Sequence, residues 1–183
     1  VALKIALSYR GLVHYWQTEY EATETTCVEA LSLATGLGDG FYALAARMFL
    51  GLTRAHLGRT SEALDDFGDA ISVARRNDDP YWLPRLTSHL GWVHRELGAL
   101  DRAREYDTEA VRLARARPTW GPESEALLNL CVDDVRDGRA ERASALLAEL
   151  QARAAGTSWM RWLSELRLAA AAAEHWAVRG DRP

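Results

Sequence analysis

The chain is poor in the residues that punctuate or cross-link a fold. Its 183 residues include five prolines, two cysteines, two methionines and three phenylalanines. Cys27 and Cys131 lie 104 positions apart inside helical patterns, so neither forms a CxxC or zinc pattern. Both read as reduced, buried thiols of a cytoplasmic protein. No apolar run reaches the roughly 18 residues that a membrane span needs. Neither sign of charge dominates, with 22 Lys+Arg against 26 Asp+Glu and a net charge of −4. That balance argues against a nucleic-acid footprint. Lys4 is the sole lysine, and the weight on arginine reads as the coding bias of a GC-rich bacterial genome.

The motifs of chemistry are missing too. There is no GxxxxGK[ST] phosphate loop, and Gly36-Leu37-Gly38-Asp39-Gly40 lacks the preceding strand such a loop requires, so a helix end followed by a turn explains it. His14, His56, His89, His94 and His175 form no HExxH and no i,i+4 pair, so no metal is expected. The adjacent carboxylates Asp65-Asp66, Asp78-Asp79 and Asp133-Asp134 diverge by about 100° on a helix and cannot share a proton. They are expected on solvated faces and at a turn cap. No Ser-His-Asp set can be assembled, no cofactor is implied, and the expectation is a protein that is not an enzyme.

What is abundant is period. Gly11, Gly51, Gly91, Cys131 and Ala171 recur every forty residues and are all small. Gly58, Gly98 and Gly138 keep the same register, as do Ala63, Ala103 and Ala143, and Ala30, Ala70 and Ala110. Small residues in fixed columns let paired helices approach closely. Each unit reads as two helices, placed at about 2–17, 20–36, 41–57, 60–76, 80–97, 100–117, 122–137, 140–155 and 158–179. The expected units are about 1–39, 40–79, 80–119 and 120–157, with a final helix over 158–180. An opening at Val1 without Met or cap, and a half-unit at the end, lead us to expect a fragment of a larger protein.

The pattern Leu50-Gly51…Gly58…Ala63…Phe67…Ala70, repeated as Leu90-Gly91…Gly98…Ala103…Ala110, resembles the tetratricopeptide repeat in order and spacing. The first unit departs with Thr18 and Thr23, and the fourth with Cys131. The usual period is 34 residues, so forty implies longer helices or longer turns. The long form is similar to repeats of bacterial multidomain signalling proteins. The resemblance implies an all-α fold, a right-handed superhelix of about four helical hairpins plus a final helix. Its concave groove would be lined mainly by each unit's first helix.

On that analogy the groove residues are Tyr15, Trp16, Met48, Leu52, His56, Arg85, Trp92, Arg95, Glu96 and Arg136. Aromatic and arginine side chains dominate binding hot spots. The implied function is a protein-interaction scaffold that clamps an acidic or mixed peptide, or a partner domain, through Arg85, Arg95 and Arg136. An alternative is a small-molecule sensor of a bacterial regulator, with an apolar pocket between Trp16, Leu52 and Trp92. Another is self-association as a homodimer through terminal helices, using the stripe Ala169 to Ala173. Trp82, Trp120, Trp159 and Trp162, near the starts of first helices, are expected to plug the space between units.

Overall fold

The computed structural model describes residues 2–154 and 161–180. The helices are α1 (Ala2–Trp16), α2 (Tyr20–Gly36), α3 (Gly40–His56), α4 (Thr60–Arg76), α5 (Trp82–Glu96), α6 (Leu100–Ala116), α7 (Trp120–Arg136), α8 (Ala140–Ala154) and α9 (Arg161–Arg179). No strand occurs among the described residues. Successive helices pack in antiparallel hairpins and stack in order, which makes the chain an α-solenoid.

The forty-residue period is two equal halves. Thr18, Gly38, Gly58, Asp78, Gly98 and Gly138 stand twenty residues apart, except at 118, and all take positive φ. Each closes a helix in the same way. At the end of α3 the Gly58 amide donates to the Ala55 carbonyl and the Arg59 amide to the Arg54 carbonyl, 3.0 and 2.8 Å. This paired return of two amides caps the last carbonyls, and it needs a left-handed residue between. Position 118 is Pro, which has no amide hydrogen and a fixed negative φ. There only the Thr119 amide reaches back, to the Ala114 carbonyl, and Arg117 is extended, the backbone that a following proline favours. The additional length over a 34-residue period therefore lies in the helices, most of them 17 residues long, and not in the turns.

The small columns thus have two causes where the sequence suggested one. Gly58, Gly98 and Gly138 are small for their backbone, with nothing within 4 Å of an added Cβ. Gly11, Gly51 and Gly91 are small because the second helix of the hairpin presses on them. A Cβ on Gly51 would lie 2.6 Å from the Phe67 ring, and one on Gly11 2.7 Å from Cys27 Sγ. Ala63, Ala70, Ala103, Ala110 and Ala143 are fully enclosed on the facing helices.

The carboxylate pairs correct an expectation. Asp66, Asp133 and Asp134 are buried, each against guanidinium groups of neighbouring helices. Asp134, with no exposed surface, accepts from Arg104 and Arg139 at 2.8 and 2.7 Å. Adjacent aspartates point to different neighbours, as the 100° step dictates, so Asp133 meets α5 while Asp134 meets α6 and the start of α8. Glu24 does the same for Arg54 and Arg59, and Glu123 for Arg115 and Arg153. Ion pairs at these depths hold register between hairpins.

Trp82 is buried in the core of the second and third hairpins, 5.1 Å from the Phe41 ring. Trp120 is half-buried and covered by the Arg153 guanidinium at 3.9 Å. Trp159 and the side chain of Trp162 lie outside the described residues.

Candidate functional site: the inner face of the first helices

Among the described residues, α1, α3, α5, α7 and α9 pack on one another in turn, whereas no second helix packs on another second helix. A layer whose members touch is shorter than a layer whose members are splayed. The first helices therefore form the inner, concave side. The Gly11 column faces each hairpin's second helix, so residues five positions later (16, 56, 96, 136, 176) and two earlier (9, 49, 89, 129, 169) lie roughly opposite, on the inner face.

At one end of that face the structure gathers rings from four helices. Tyr15 lies 5.6 Å from Trp16, 6.2 Å from Tyr20, 5.4 Å from Phe49 and 5.8 Å from His56. The His56 ring stacks on Tyr20 at 4.8 Å and an angle of 10°, and meets Trp92 at 5.0 Å. Partial burial holds the His56 imidazole below its usual pKa, so it is neutral near pH 7. Tyr15 Oη, whose own pKa burial raises, shares a 3.1 Å hydrogen bond with His56 Nε2. Trp16, His56 and Glu96 are exposed and Trp92 is half-buried, so the cluster is a surface. Neither Tyr20 nor Phe49 is marked by the sequence: Tyr20 opens α2, a second helix, and Phe49 lies one position beyond Met48 on α3.

The middle of the face is polar and internally committed. Arg85 Nη2 donates to Glu125 Oε1 at 2.5 Å, and the guanidinium covers the Tyr81 ring at 4.9 Å. Arg95 donates to both oxygens of Asp133, 2.8 and 2.7 Å, and to Asp107 at 2.7 Å. Ser88 Oγ donates to Asp107 at 2.6 Å, and Asn129 Nδ2 donates to Asp107 at 3.0 Å. Arg167 on α9 donates to Asn129 Oδ1 at 2.7 Å. One network thus links α5, α6, α7 and α9. It includes Asn129 and Arg167, which no spacing in the sequence singles out. His89 beside it is held neutral by burial, and its Nδ1 lies 2.8 Å from the Arg85 carbonyl.

The structure therefore separates the nominated residues into four groups. Tyr15, Trp16, His56 and Trp92 come together. Met48 and Leu52 are buried in the core beside Leu44 and Leu86, which takes them off the accessible face. Arg85 and Arg95 carry charges already answered by carboxylates, while Glu96 and Arg136 are exposed and make no hydrogen bond or ion pair among the described residues. No group of three His, Cys, Asp or Glu side chains is placed to hold a metal among the described residues. Among them too, no helix is long and apolar enough to cross a membrane.

Fold and face together define a helical-repeat solenoid with an aromatic inner surface. Residues 42–116 match the tetratricopeptide repeat family model, so this stretch consists of tetratricopeptide repeats. No curated protein matches the chain. Among solved structures, the chain is similar to a Rap protein complexed with competence and sporulation factor, at 15% identity and a TM-score of 0.80. That match covers 97% of this chain and 50% of the Rap protein, so the chain spans half its length. It is also similar to BtubC from P. vanneervenii, at 17% identity and a TM-score of 0.67, covering 96% of this chain and 72% of BtubC. At these identities the likeness is one of fold.

Proposed function

We propose that the protein is a non-catalytic interaction scaffold that holds a segment of a partner protein along its concave face. The observation that carries this reading is the ring cluster on the inner face, with Trp16 and His56 exposed and Trp92 half-buried beside them. Rings on a solvent-facing surface do not contribute to the core; they are the side chains most used as binding anchors. The similar Rap protein, which was crystallised with a bound factor, supports the same use of the fold. A cytoplasmic setting suits Cys27 and Cys131, two free and buried thiols that burial pushes up to about 12 and about 11. A small-molecule sensor is favoured less, because Leu52, one wall of the required pocket, is packed into the core. The self-association stripe is divided as well: Ala171 and Ala172 are buried, leaving Ala169, Ala170 and Ala173 exposed.

The test is selection of a random peptide library on the wild-type chain, followed by affinities for Trp16→Ala and for Val28→Ala on the outer layer. Loss with Trp16→Ala alone supports the inner face. Loss with Val28→Ala alone refutes it.

A further inference from the structure

The ligand class can be read from the charges beside the rings, on the premise that the inner face is the binding surface. We infer that the rim formed by Trp16, His56, Trp92 and Glu96 receives a basic side chain, arginine or lysine, of the bound segment.

Four observations converge on a cation. The aromatic cluster offers ring faces, whose quadrupoles are negative and attract guanidinium or ammonium groups. Glu96 follows Trp92 by four residues on α5, so the two share one side of that helix, and its charge is felt at His56. This carboxylate makes no hydrogen bond or ion pair among the described residues. Third, His56 is neutral near pH 7 and adds no opposing charge. Last, the C-terminal ends of α1, α3 and α5, which carry partial negative charge, lie at this rim.

The same geometry disfavours an acidic ligand. Arg85 and Arg95 are paired with Glu125, Asp107 and Asp133, their unpartnered Nε and Nη1 atoms being buried, and Arg167, whose charge is felt at Tyr15, donates to Asn129 Oδ1. Engaging an outside carboxylate would break pairs that are themselves mostly buried. Arg136, the next unpaired charge in the same column, stands on α7, one first helix beyond Glu96. It makes no ion pair with Glu96 among the described residues, although Arg85 and Glu125 pair at the same forty-residue offset.

The experiment uses fluorescent, short random-sequence peptide pools with the central residue fixed as Arg, norleucine or Glu, titrated by anisotropy against the whole chain. The Arg-centred pool is expected to bind about fivefold tighter than the Glu-centred pool. Glu96→Gln, an exposed substitution that leaves the fold intact, should cut the Arg-centred affinity by about threefold and leave the norleucine-centred pool unchanged. Arg136→Gln should not weaken the Arg-centred pool. Equal binding of all three pools, or a preference for Glu, overturns the cation assignment while leaving the groove reading in place. Binding by none overturns both.

Discussion

Tyr15 and His56, forty-one residues apart in sequence, are joined by a 3.1 Å hydrogen bond that fastens the first unit's inner helix to the second's. Partial burial holds the imidazole neutral near pH 7, where its Nε2 either accepts from the phenol or donates to it according to tautomer. Binding surface and folding register therefore share one titrating group.

That sharing gives a pH dependence with a definite sign. Burial places His56, His89 and His94 all below the ordinary histidine value. The unfolded chain then takes up protons before the folded one does. Stability is complete above the unfolded value, about 6.5, and is lost as pH falls through the lowered folded values. Urea midpoints should drop between pH 7.5 and pH 5. Imidazole proton NMR should give titration midpoints below that of a free histidine for these three.

The contact of Gly51 with Phe67 predicts a cycle of substitutions. Gly51→Ala inserts a Cβ where the ring already lies 2.6 Å away, and should cost about 1–3 kcal/mol. Phe67→Leu alone leaves a cavity. The double variant should be less destabilised than the sum, with a coupling of about 0.5–3 kcal/mol in denaturant unfolding. Strict additivity would mean that the close approach is not what keeps position 51 small.

A contrasting pair isolates the backbone. Gly58 has open space around it but a φ of +75°, so Gly58→Ala should lose about 1 kcal/mol through strain alone. Gly68 lies inside α4 with nothing within 4 Å and an ordinary helical backbone. Gly68→Ala should gain about 0.5–1 kcal/mol. Calorimetry on the two variants checks the opposite signs.

Arg95 offers the sharpest test of the buried polar network. Arg95→Met leaves Asp107 and Asp133 enclosed without their counter-charge and should cost about 3–5 kcal/mol. Replacing all three with apolar residues should cost less than Arg95→Met alone. Thermal unfolding of the single and triple variants decides between a network that is needed for stability and one that sets register.

Much of the fold was written in the forty-residue register. Small columns fixed the hairpins, and helix ends fell within a few residues because Gly58, Gly98 and Gly138 mark them directly. Thr18 and Asp78 occupy the same left-handed turn without glycine, which is why spacing and not composition locates it. The site was less legible. A column tells which face a residue takes but not what answers it from a distant helix. Arg95 looks like a free guanidinium until Asp107 and Asp133 arrive from α6 and α7. Asp133-Asp134 looks solvated for the same reason. Glu96, by contrast, stays exposed, and the ring cluster around Tyr15 joins the nominated Trp16, His56 and Trp92 to Tyr20 and Phe49, which no column marks.

The central claim is that the inner face, at its aromatic end, is where a partner segment binds. The most direct measurement is the tryptophan indole NMR spectrum of the chain titrated with a library-selected peptide. The account predicts that the Trp16 and Trp92 indole signals shift while that of Trp82, enclosed in the core, stays in place. Trp16 and Trp92 indole signals that stay in place at saturating peptide would contradict it.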